Sequence, residues 1–210
     1  GQLQFQDSYA ADTLNLLGNV FFGQYRYTAR YHYSGAPNHS TTSSDWYGAD
    51  LRALYTGVAN HKLVVGVELQ ENTRVDQTND DLTLSGLETQ VLKTGYRAGV
   101  YVQDDWLVNA SWSTTLGLRA DRNNVTGTQY SPRAAVIWQV APGTTMKALF
   151  GRAHRAPNSY ERDFTQGTWL IANAALSGET IDTRELVVDQ RMAQGLTVRG
   201  SLYQWTMRSE

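Results

Sequence analysis

The amino-acid sequence predicts an all-β fold, an antiparallel up-and-down meander of about ten strands that forms part of a transmembrane β-barrel. Three observations lead to this prediction. Side chains alternate between apolar and polar along most of the chain, the connections alternate between short and long, and aromatic residues gather near the ends of the alternating segments. Because successive side chains of a strand point to opposite faces, a period of two indicates strands with two different faces.

The segment QYRYTARYHY, residues 24–33, shows the alternation most clearly. One set comprises Tyr25, Tyr27, Ala29, Tyr31 and Tyr33, and the other comprises Gln24, Arg26, Thr28, Arg30 and His32. We interpret the tyrosine side as facing lipid, and Arg26 and Arg30 as facing a wet lumen. In a soluble protein the arginines would instead face bulk water and the tyrosines would face a core.

The same period recurs along the rest of the chain, less regularly in the last two of these segments: 46–56, 62–72, 96–103, 112–121, 133–140, 145–155, 181–192 and 196–206. Residues 10–19 fit either a short helix or a strand with a tight turn. Basic side chains recur on the polar sides of the strands, at Arg52, Arg97, Arg119, Arg133, Lys147 and Arg155. They favour a wide, polar interior, because a small barrel fills its interior with packed side chains.

The connections predict a membrane barrel rather than a sandwich. Short connections are expected at 57–61, 107–110, 141–144 and 193–196, and long ones at 34–44, 74–94, 122–129 and 156–180. Short and long connections alternate strictly, which is typical of an outer-membrane barrel with short turns at one end and long loops at the other. A sandwich would mix both lengths at both ends.

Composition and aromatic positions agree with this prediction. Amphipathic rings collect at the level of lipid headgroups, and most of the relevant rings here lie near strand ends: Trp46, Tyr47, Tyr55, Trp106, Trp112, Tyr130, Trp138, Tyr203 and Trp205. No segment approaches the ~18 consecutive apolar residues of a membrane helix. The net charge of −2 gives no electrostatic case for nucleic acid binding, and the absence of cysteine excludes disulfides.

The sequence offers no catalytic or metal-binding pattern. The four histidines lack the spacing of metal ligands. The adjacent acids Asp80–Asp81 and Asp104–Asp105 would point to opposite faces of a strand. His32 with Ser34 and Asp45 comes nearest to a nucleophilic triad. We therefore expect no catalytic residue, no metal ligand and no cofactor.

Three segments resemble the TonB-dependent outer-membrane receptors, a family of 22-stranded barrels that are plugged by an N-terminal domain. They are SPRAAVIW at 131–138, TTMKALFGRAHRAPNSYE at 144–161 and ETIDTRELVVDQ at 179–190. The segments HKLVVGVELQ at 61–70 and GVYVQDDW at 99–106 are also similar. The resemblance implies that residues 1–210 are a partial barrel domain, without the plug domain and the C-terminal strands.

The resemblance also implies a function. The chain would lie in the bacterial outer membrane and help to import a scarce nutrient, with a ferric siderophore as the expected cargo and no enzymatic activity. Its partners would be outer-membrane lipid, the plug domain of the same protein, and the TonB energy-transducing complex, which would act through the missing N-terminal part.

We expect two groups of site residues, one from the alternation and one from the composition of a long loop. The first would line the lumen and contact the plug: Arg26, Arg30, Arg52, Arg97, Arg119, Arg133, Lys147 and Arg155. The second would bind the cargo from the 156–180 loop: Tyr160, Glu161, Arg162 and Trp169. Aromatic and cationic side chains suit catecholate or carboxylate iron chelates through stacking and charge.

Two alternatives remain open at this level. One is a passive porin or an enzymatic outer-membrane barrel, which would show an inward constriction loop or a catalytic cluster near one rim. The other is a soluble β-sandwich or lipocalin-like ligand-binding module, which would be monodisperse in plain buffer.

Overall fold

The computed structural model describes residues 1–33, 36–82, 88–165, 170–193 and 195–209, which form ten strands and one short helix. The elements are β1 (Gln2–Tyr9), β2 (Leu14–Tyr33), β3 (Ala36–Tyr55), β4 (His61–Asp81), β5 (Glu88–Asn109), β6 (Trp112–Asn123), β7 (Gly127–Ala141), β8 (Thr144–Arg155), α1 (Ser159–Asp163), β9 (Glu179–Ala193) and β10 (Leu196–Ser209).

The ten strands form one antiparallel sheet in which every strand pairs with its neighbours in sequence. This confirms the predicted up-and-down meander. Residues 10–13 form a turn and β2 follows, so the 10–19 segment is a turn and strand rather than a helix. Within the described ranges, no helix has the length and apolar character needed to cross a bilayer.

The pairing register gives the sheet two chemically different faces. On the polar face, Asn19, Asp50, Glu68, Gly99 and Asp121 lie side by side on consecutive strands. On the apolar face, the corresponding row is Leu51, Val67, Val100, Ala120 and Tyr130.

Among the residues that the structure describes, none packs as a layer over the apolar face. Val67, Val100 and Leu116 are 42%, 55% and 60% exposed. Among the described residues, the buried apolar side chains are Val91, Phe164 and Val187, too few to form the core of a sandwich. An apolar surface of this extent is stable when hydrocarbon covers it.

Aromatic residues bound the apolar face at both ends. Near the short turns lie Tyr9, Tyr55, Trp106, Trp112 and Trp138, and toward the other end lie Phe22, Tyr47, Tyr96 and Tyr130. The Trp112 and Trp138 rings stack with centroids 5.0 Å apart. A strand tilted by about 40° and rising about 3.3 Å per residue covers about 25 Å of membrane thickness between Tyr96 and Trp106, the height of an outer-membrane barrel's apolar band.

Strands β2 to β5 are longer than this band. They contain 20, 20, 21 and 22 residues and continue beyond the Phe22–Tyr47–Tyr96 level. We call this extension the projecting ribbon; it comprises residues 24–33, 36–45, 74–81 and 88–94.

The projecting ribbon corrects the predicted loops at 34–44 and 74–94, because most of their described residues are paired in strands. The predicted 122–129 loop is also wrong. A tight turn joins β6 to β7, with Asn123 Oδ1 accepting hydrogen bonds from the backbone N–H groups of Val125 and Thr126 at 2.8 Å. The described parts of the predicted 156–180 loop contain α1, a bridge residue at 170 and otherwise irregular chain, until β9 begins at Glu179.

The predicted sidedness of the 24–33 segment is wrong. Alternation continues without interruption along β2, so Arg26 and Arg30 lie on the same side as Val20 and Phe22 of the apolar face. The tyrosines lie on the side of the polar face. The Tyr31 hydroxyl is 3.1 Å from Ser40 Oγ and accepts a hydrogen bond of 3.0 Å from Asn79, a residue that is only 4% exposed.

This correction has a physical reason: residues 24–33 lie above the apolar band. At that level water lies on both sides of the ribbon, so polar side chains are stable on its outer side. Arg26 forms an ion pair there with Asp45. Local amphipathicity therefore does not report which side faces the membrane.

Candidate functional site

A network of charged side chains occupies the centre of the polar face. Glu68 forms an ion pair with Arg97 at 2.9 Å and accepts a hydrogen bond from Arg119 at 3.0 Å. Arg119 also pairs with Asp121 at 2.6 Å, and its guanidinium carbon lies 5.6 Å from the centre of the Tyr101 ring. The pairs neutralise much of the charge that this half-buried surface would otherwise expose.

A glycine makes room for this network. Gly99 lies between Glu68 and Asp121 in the pairing register. A Cβ atom at this position would collide with Arg119 Nη2 and Asp121 Oδ1. The network lines a cavity of about 630 Å³ together with Asp50, Ser131 and Arg133, among other residues.

A second group of ion pairs follows β8 and β9. Asp189 binds Lys147 at 2.7 Å and Arg199 at 2.6 Å. Asp182, which is 4% exposed, binds Arg152 at 2.7 Å and Arg208 at 3.0 Å. Each carboxylate thus links two cations across three neighbouring strands.

Two arginines of the polar face, unlike Arg97 and Arg119, have no acidic partner among the described residues. Arg52 aligns with Gly66, and Arg133 aligns with Gly117. Within the described part of the chain neither arginine forms an ion pair. The polar face therefore offers free positive charge to whatever fills the space beside it.

The α1 loop folds over the polar side of the projecting ribbon. Asn158 caps the helix, accepting a hydrogen bond from the backbone N–H of Glu161, whose side chain in turn accepts one from the Asn158 N–H. Phe164 stacks on Tyr160 at 5.0 Å and is 5% exposed. Asp163 lies 3.5 Å from Lys93 of β5.

Arg155 fixes the base of this loop. Its guanidinium donates to Glu161 at 2.8 Å and to Glu179 at 3.0 Å. The hydrogen bond from Arg155, followed by the one from the Asn158 backbone, holds the pKa of Glu161 below its ordinary value. One arginine thus joins the end of β8, the helix and the start of β9.

The inner wall of the projecting ribbon carries aromatic and amide side chains that sequence reasoning missed. Tyr25, Tyr27 and Tyr31 lie there on β2, and Trp46 packs over Gly23. With Asn79 they form a wall of rings and hydrogen-bonding groups. Counting alternation upward from Val20 and Phe22 would have found this wall.

The structure separates the predicted site residues. Arg52, Arg97, Arg119, Arg133 and Lys147 lie on the polar face, whereas Arg26 and Arg30 do not. Arg155 contacts the α1 loop. Tyr160, Glu161 and Arg162 lie together in α1, where Tyr160 is 47% exposed and Arg162 Nε donates to the Ala174 carbonyl at 3.3 Å. Trp169 lies outside the described residues.

The geometry shows no assembled catalytic or metal centre in the ranges that the structure describes. No group of three or more metal-ligating side chains occurs there. Asp45 aligns with Gln24 and His32 aligns with Pro37, so the two do not meet, and Ser34 lies outside the described residues. The His61–Asp104 pair, 2.8 Å apart, lies at the short-turn end beside Trp106.

Comparison with known proteins identifies the family. The family described as TonB dependent receptor-like, beta-barrel matches residues 1–207. The chain belongs to this family of TonB-dependent receptors. The predicted fold class and resemblance are therefore confirmed, and the sheet is part of a barrel in the bacterial outer membrane.

Relatives and solved structures agree. The iron-regulated outer membrane virulence protein of Vibrio cholerae serotype O1 is 28% identical over 148 residues, which cover 68% of this chain and 22% of the relative. A probable TonB-dependent siderophore receptor, PirA of Acinetobacter baumannii, is 29% identical over 136 residues, covering 60% of this chain and 18% of the relative. The chain thus spans about a fifth of the length of these curated relatives.

Two solved structures share the fold. The copper transporter OprC superimposes with a TM-score of 0.77 at 18% identity, covering 98% of this chain and 37% of the transporter. The ferric yersiniabactin uptake receptor FyuA from Yersinia pestis superimposes with a TM-score of 0.75 at 13% identity, covering 99% of this chain and 35% of the receptor. In such a barrel the polar face borders the lumen, the apolar face contacts lipid, and the short turns lie on the periplasmic side.

Proposed function

We propose that this TonB-dependent receptor imports a scarce nutrient across the outer membrane, with a ferric siderophore as its cargo. The family match over residues 1–207 is the observation that carries the proposal. The names of the relatives, an iron-regulated outer membrane protein and a probable siderophore receptor, support iron as the nutrient.

In this proposal the chain supplies part of the barrel wall, and the plug domain and the C-terminal strands belong to other parts of the receptor. The charged network of the polar face contacts the plug. Arg52 and Arg133 offer cations to carboxylates of the plug, and Glu68 offers the acceptor that basic plug residues require. The TonB complex acts on the plug from the periplasm, through the N-terminal part of the receptor.

Cargo binding takes place between the projecting ribbon and α1. Tyr160, Glu161, Arg162 and Trp169 contribute from the loop, and the tyrosine wall of β2 faces them. Lys93 adds positive charge at the boundary between the two. Rings stack on catecholates, and cations attract the negative charge of catecholate or carboxylate chelates. These roles require binding alone, so we propose no bond-making chemistry.

The experiment is uptake of radiolabelled ferric siderophores by cells that rely on this receptor. We expect saturable uptake that disappears when TonB is deleted or the proton gradient is collapsed. Lys93→Ala should raise the half-saturating concentration about tenfold, the effect of losing a charged hydrogen bond. Arg74→Ala is the matched control, because Arg74 lies on the outer side of the same ribbon, paired with Asp76 at 2.7 Å.

Two results would contradict the proposal. Uptake that rises linearly with concentration and survives TonB deletion would indicate a passive pore. Equal effects of the Lys93 and Arg74 substitutions would contradict the assignment of cargo binding to the inner side of the ribbon. That result would not contradict the proposed transport function.

A further inference from the structure

The inner wall of the projecting ribbon is aromatic, exposed and uncharged. Tyr25, Tyr27 and Tyr31 of β2 are 51%, 46% and 38% exposed. The neighbouring strands add hydroxyl and amide side chains on the same side, namely Ser40, Thr42, Ser44, Gln77 and Asn79. None of these side chains carries a charge.

The outer side of the same strands has the opposite character. Arg26 and Arg30 of β2 lie there, and so do Asp45, Arg74 and Asp76 of the next two strands. Water reaches both sides of the ribbon at this level, so solvation alone does not require an uncharged inner side. The contrast between the two sides indicates that the inner wall is shaped for an uncharged occupant.

Part of the inner wall has hydrogen-bonding groups without a protein partner. Tyr31 is already bonded within the wall, because its hydroxyl accepts a hydrogen bond of 3.0 Å from Asn79. In the ranges that the structure describes, the hydroxyls of Tyr25, Tyr27 and Thr42 form no hydrogen bond. Exposed ring faces and free hydroxyls therefore lie side by side.

The inner wall continues into the space beside α1. A cavity of about 480 Å³ is lined by Ser44 and Gln77 of the wall, and on the other side by residues of β5 and the α1 loop. The charged side chains that line it are Lys93, Arg162 and Asp163. The cavity thus has one uncharged side and one charged side.

The charged side and the tyrosines are well separated. Tyr25 of β2 and Lys93 of β5 lie at the same level, with one residue of β3 and one of β4 between them. Adjacent strands are about 4.8 Å apart, so the two backbones are about 14 Å apart. An anionic iron chelate held beside Lys93 therefore extends to the tyrosines only if it carries an additional, uncharged part.

A saccharide matches the inner wall better than a peptide does. The C–H groups of a sugar ring pack on an aromatic face, and its hydroxyls both donate and accept hydrogen bonds, as the hydroxyls of Tyr25, Tyr27 and Thr42 do. Tyr25 and Tyr27 are two residues apart on one strand, about 7 Å, so neighbouring rings can support neighbouring parts of one substituent. A peptide is recognised mainly through main-chain hydrogen bonds at a sheet edge, whereas the inner wall presents the face of a sheet.

We propose that the inner wall binds a glycosyl substituent of the cargo. The iron centre lies beside Lys93 and α1, and the sugar packs on Tyr25 and Tyr27 with its hydroxyls bonded to the free groups around them. This inference rests on the proposed import of a ferric siderophore and adds that the siderophore is glycosylated.

The test compares three probes that share one iron centre: the ferric complex of a synthetic tris-catecholate, the same complex with a glucosyl substituent, and the same complex with a triglycine substituent. Binding of radioactive iron is measured with the full-length receptor purified in mild detergent. We expect the wild type to bind the glucosylated probe about tenfold more tightly than the unsubstituted one, the combined effect of ring packing and hydrogen bonds.

Variants of one position identify the surface responsible. Tyr27→Ala should abolish most of the preference for the glucosylated probe without weakening the unsubstituted one, and Tyr27→Phe, which keeps the ring, should retain most of it. Thr28→Ala is the control, because Thr28 is the next residue and lies on the outer side. Heat-modifiable migration in gels confirms that each variant is folded.

The outcomes separate this inference from the proposed function. TonB-dependent import of all three probes with equal wild-type affinities would overturn the inference and leave the transport function standing. Equal gains from the glucosyl and triglycine substituents, or equal effects of Tyr27→Ala and Thr28→Ala, would also overturn it. No TonB-dependent import of any probe would count against the proposed cargo as well.

Discussion

Placing a charge on the apolar face at the middle of the band should destabilise the protein strongly. Val100 suits this test because it lies between the aromatic levels of Tyr96 and Trp106 and is 55% exposed, so its replacement removes little protein packing. Val100→Arg places a guanidinium in hydrocarbon at a depth from which it reaches neither headgroup region easily.

The expected loss follows from the depth. Arginine on the lipid face near the midplane costs ~2–4 kcal/mol, which lowers the folding equilibrium constant roughly 30-fold to 900-fold. Gln103→Arg is the matched control on the same strand, because Gln103 lies on the polar face and donates to Asp105 at 2.9 Å. Its cost should stay within about 1 kcal/mol, as for a substitution in a solvated lumen.

The assay is urea-dependent folding into lipid vesicles, followed by tryptophan fluorescence and by heat-modifiable migration in gels. Equal free energies of unfolding for Val100→Arg and Gln103→Arg would refute the assignment of the apolar face to lipid. A larger loss for Gln103→Arg would show that the two faces are reversed.

Two further predictions concern the outer end of the receptor. Because the pKa of Glu161 is depressed below its ordinary value of 4.5, its ion pair with Arg155 stabilises α1 at neutral pH and is lost as the pH falls through the lowered pKa. Hydrogen exchange of residues 156–165, corrected for intrinsic rates, should be protected at pH 7 and should become fast as the pH falls through the lowered pKa, whereas Glu161→Gln should exchange fast throughout. Protection of the wild type that does not change as the pH is lowered would contradict this. Since the chain has no cysteine, single introduced cysteines can report which side of β2 faces the outside. A bulky polymer-linked maleimide should label Arg30→Cys several-fold faster than Tyr31→Cys in intact cells. Equal labelling rates would contradict the assignment of Arg30 to the outer side and Tyr31 to the inner side.

The sequence was sufficient for the fold because the apolar band forces a strict pattern. Within the band, hydrocarbon covers one side of each strand and the lumen borders the other, so Val65, Val67 and Leu69 alternate with Gly66, Glu68 and Gln70. The tight periplasmic turns leave few possible connections. Ten strands in sequential order follow from these two constraints, and the structure shows them.

The site was less predictable because most of it lies outside the band. Tyr160, Glu161 and Arg162 could be named from loop composition, but their association depends on Arg155 and on the burial of Phe164. The charged pairs across strands, such as Glu68 with Arg119, depend on the register between strands that are distant in sequence. Alternation alone shows that these residues share a face and does not show which of them meet.

The misassigned segment 24–33 shows where pattern reasoning reaches its limit. An apolar side chain indicates contact with lipid only within the apolar band, because water surrounds the ribbon above it. Beyond the band, a tyrosine row is stabilised by ring contacts and hydrogen bonds inside the ribbon, as Tyr31 is by Asn79. Continuous alternation therefore has to be traced from a residue whose surroundings are known, such as Val20 in the band. Followed from that residue, the same sequence assigns Arg26 and Arg30 to the outer side and the tyrosines to the proposed binding surface.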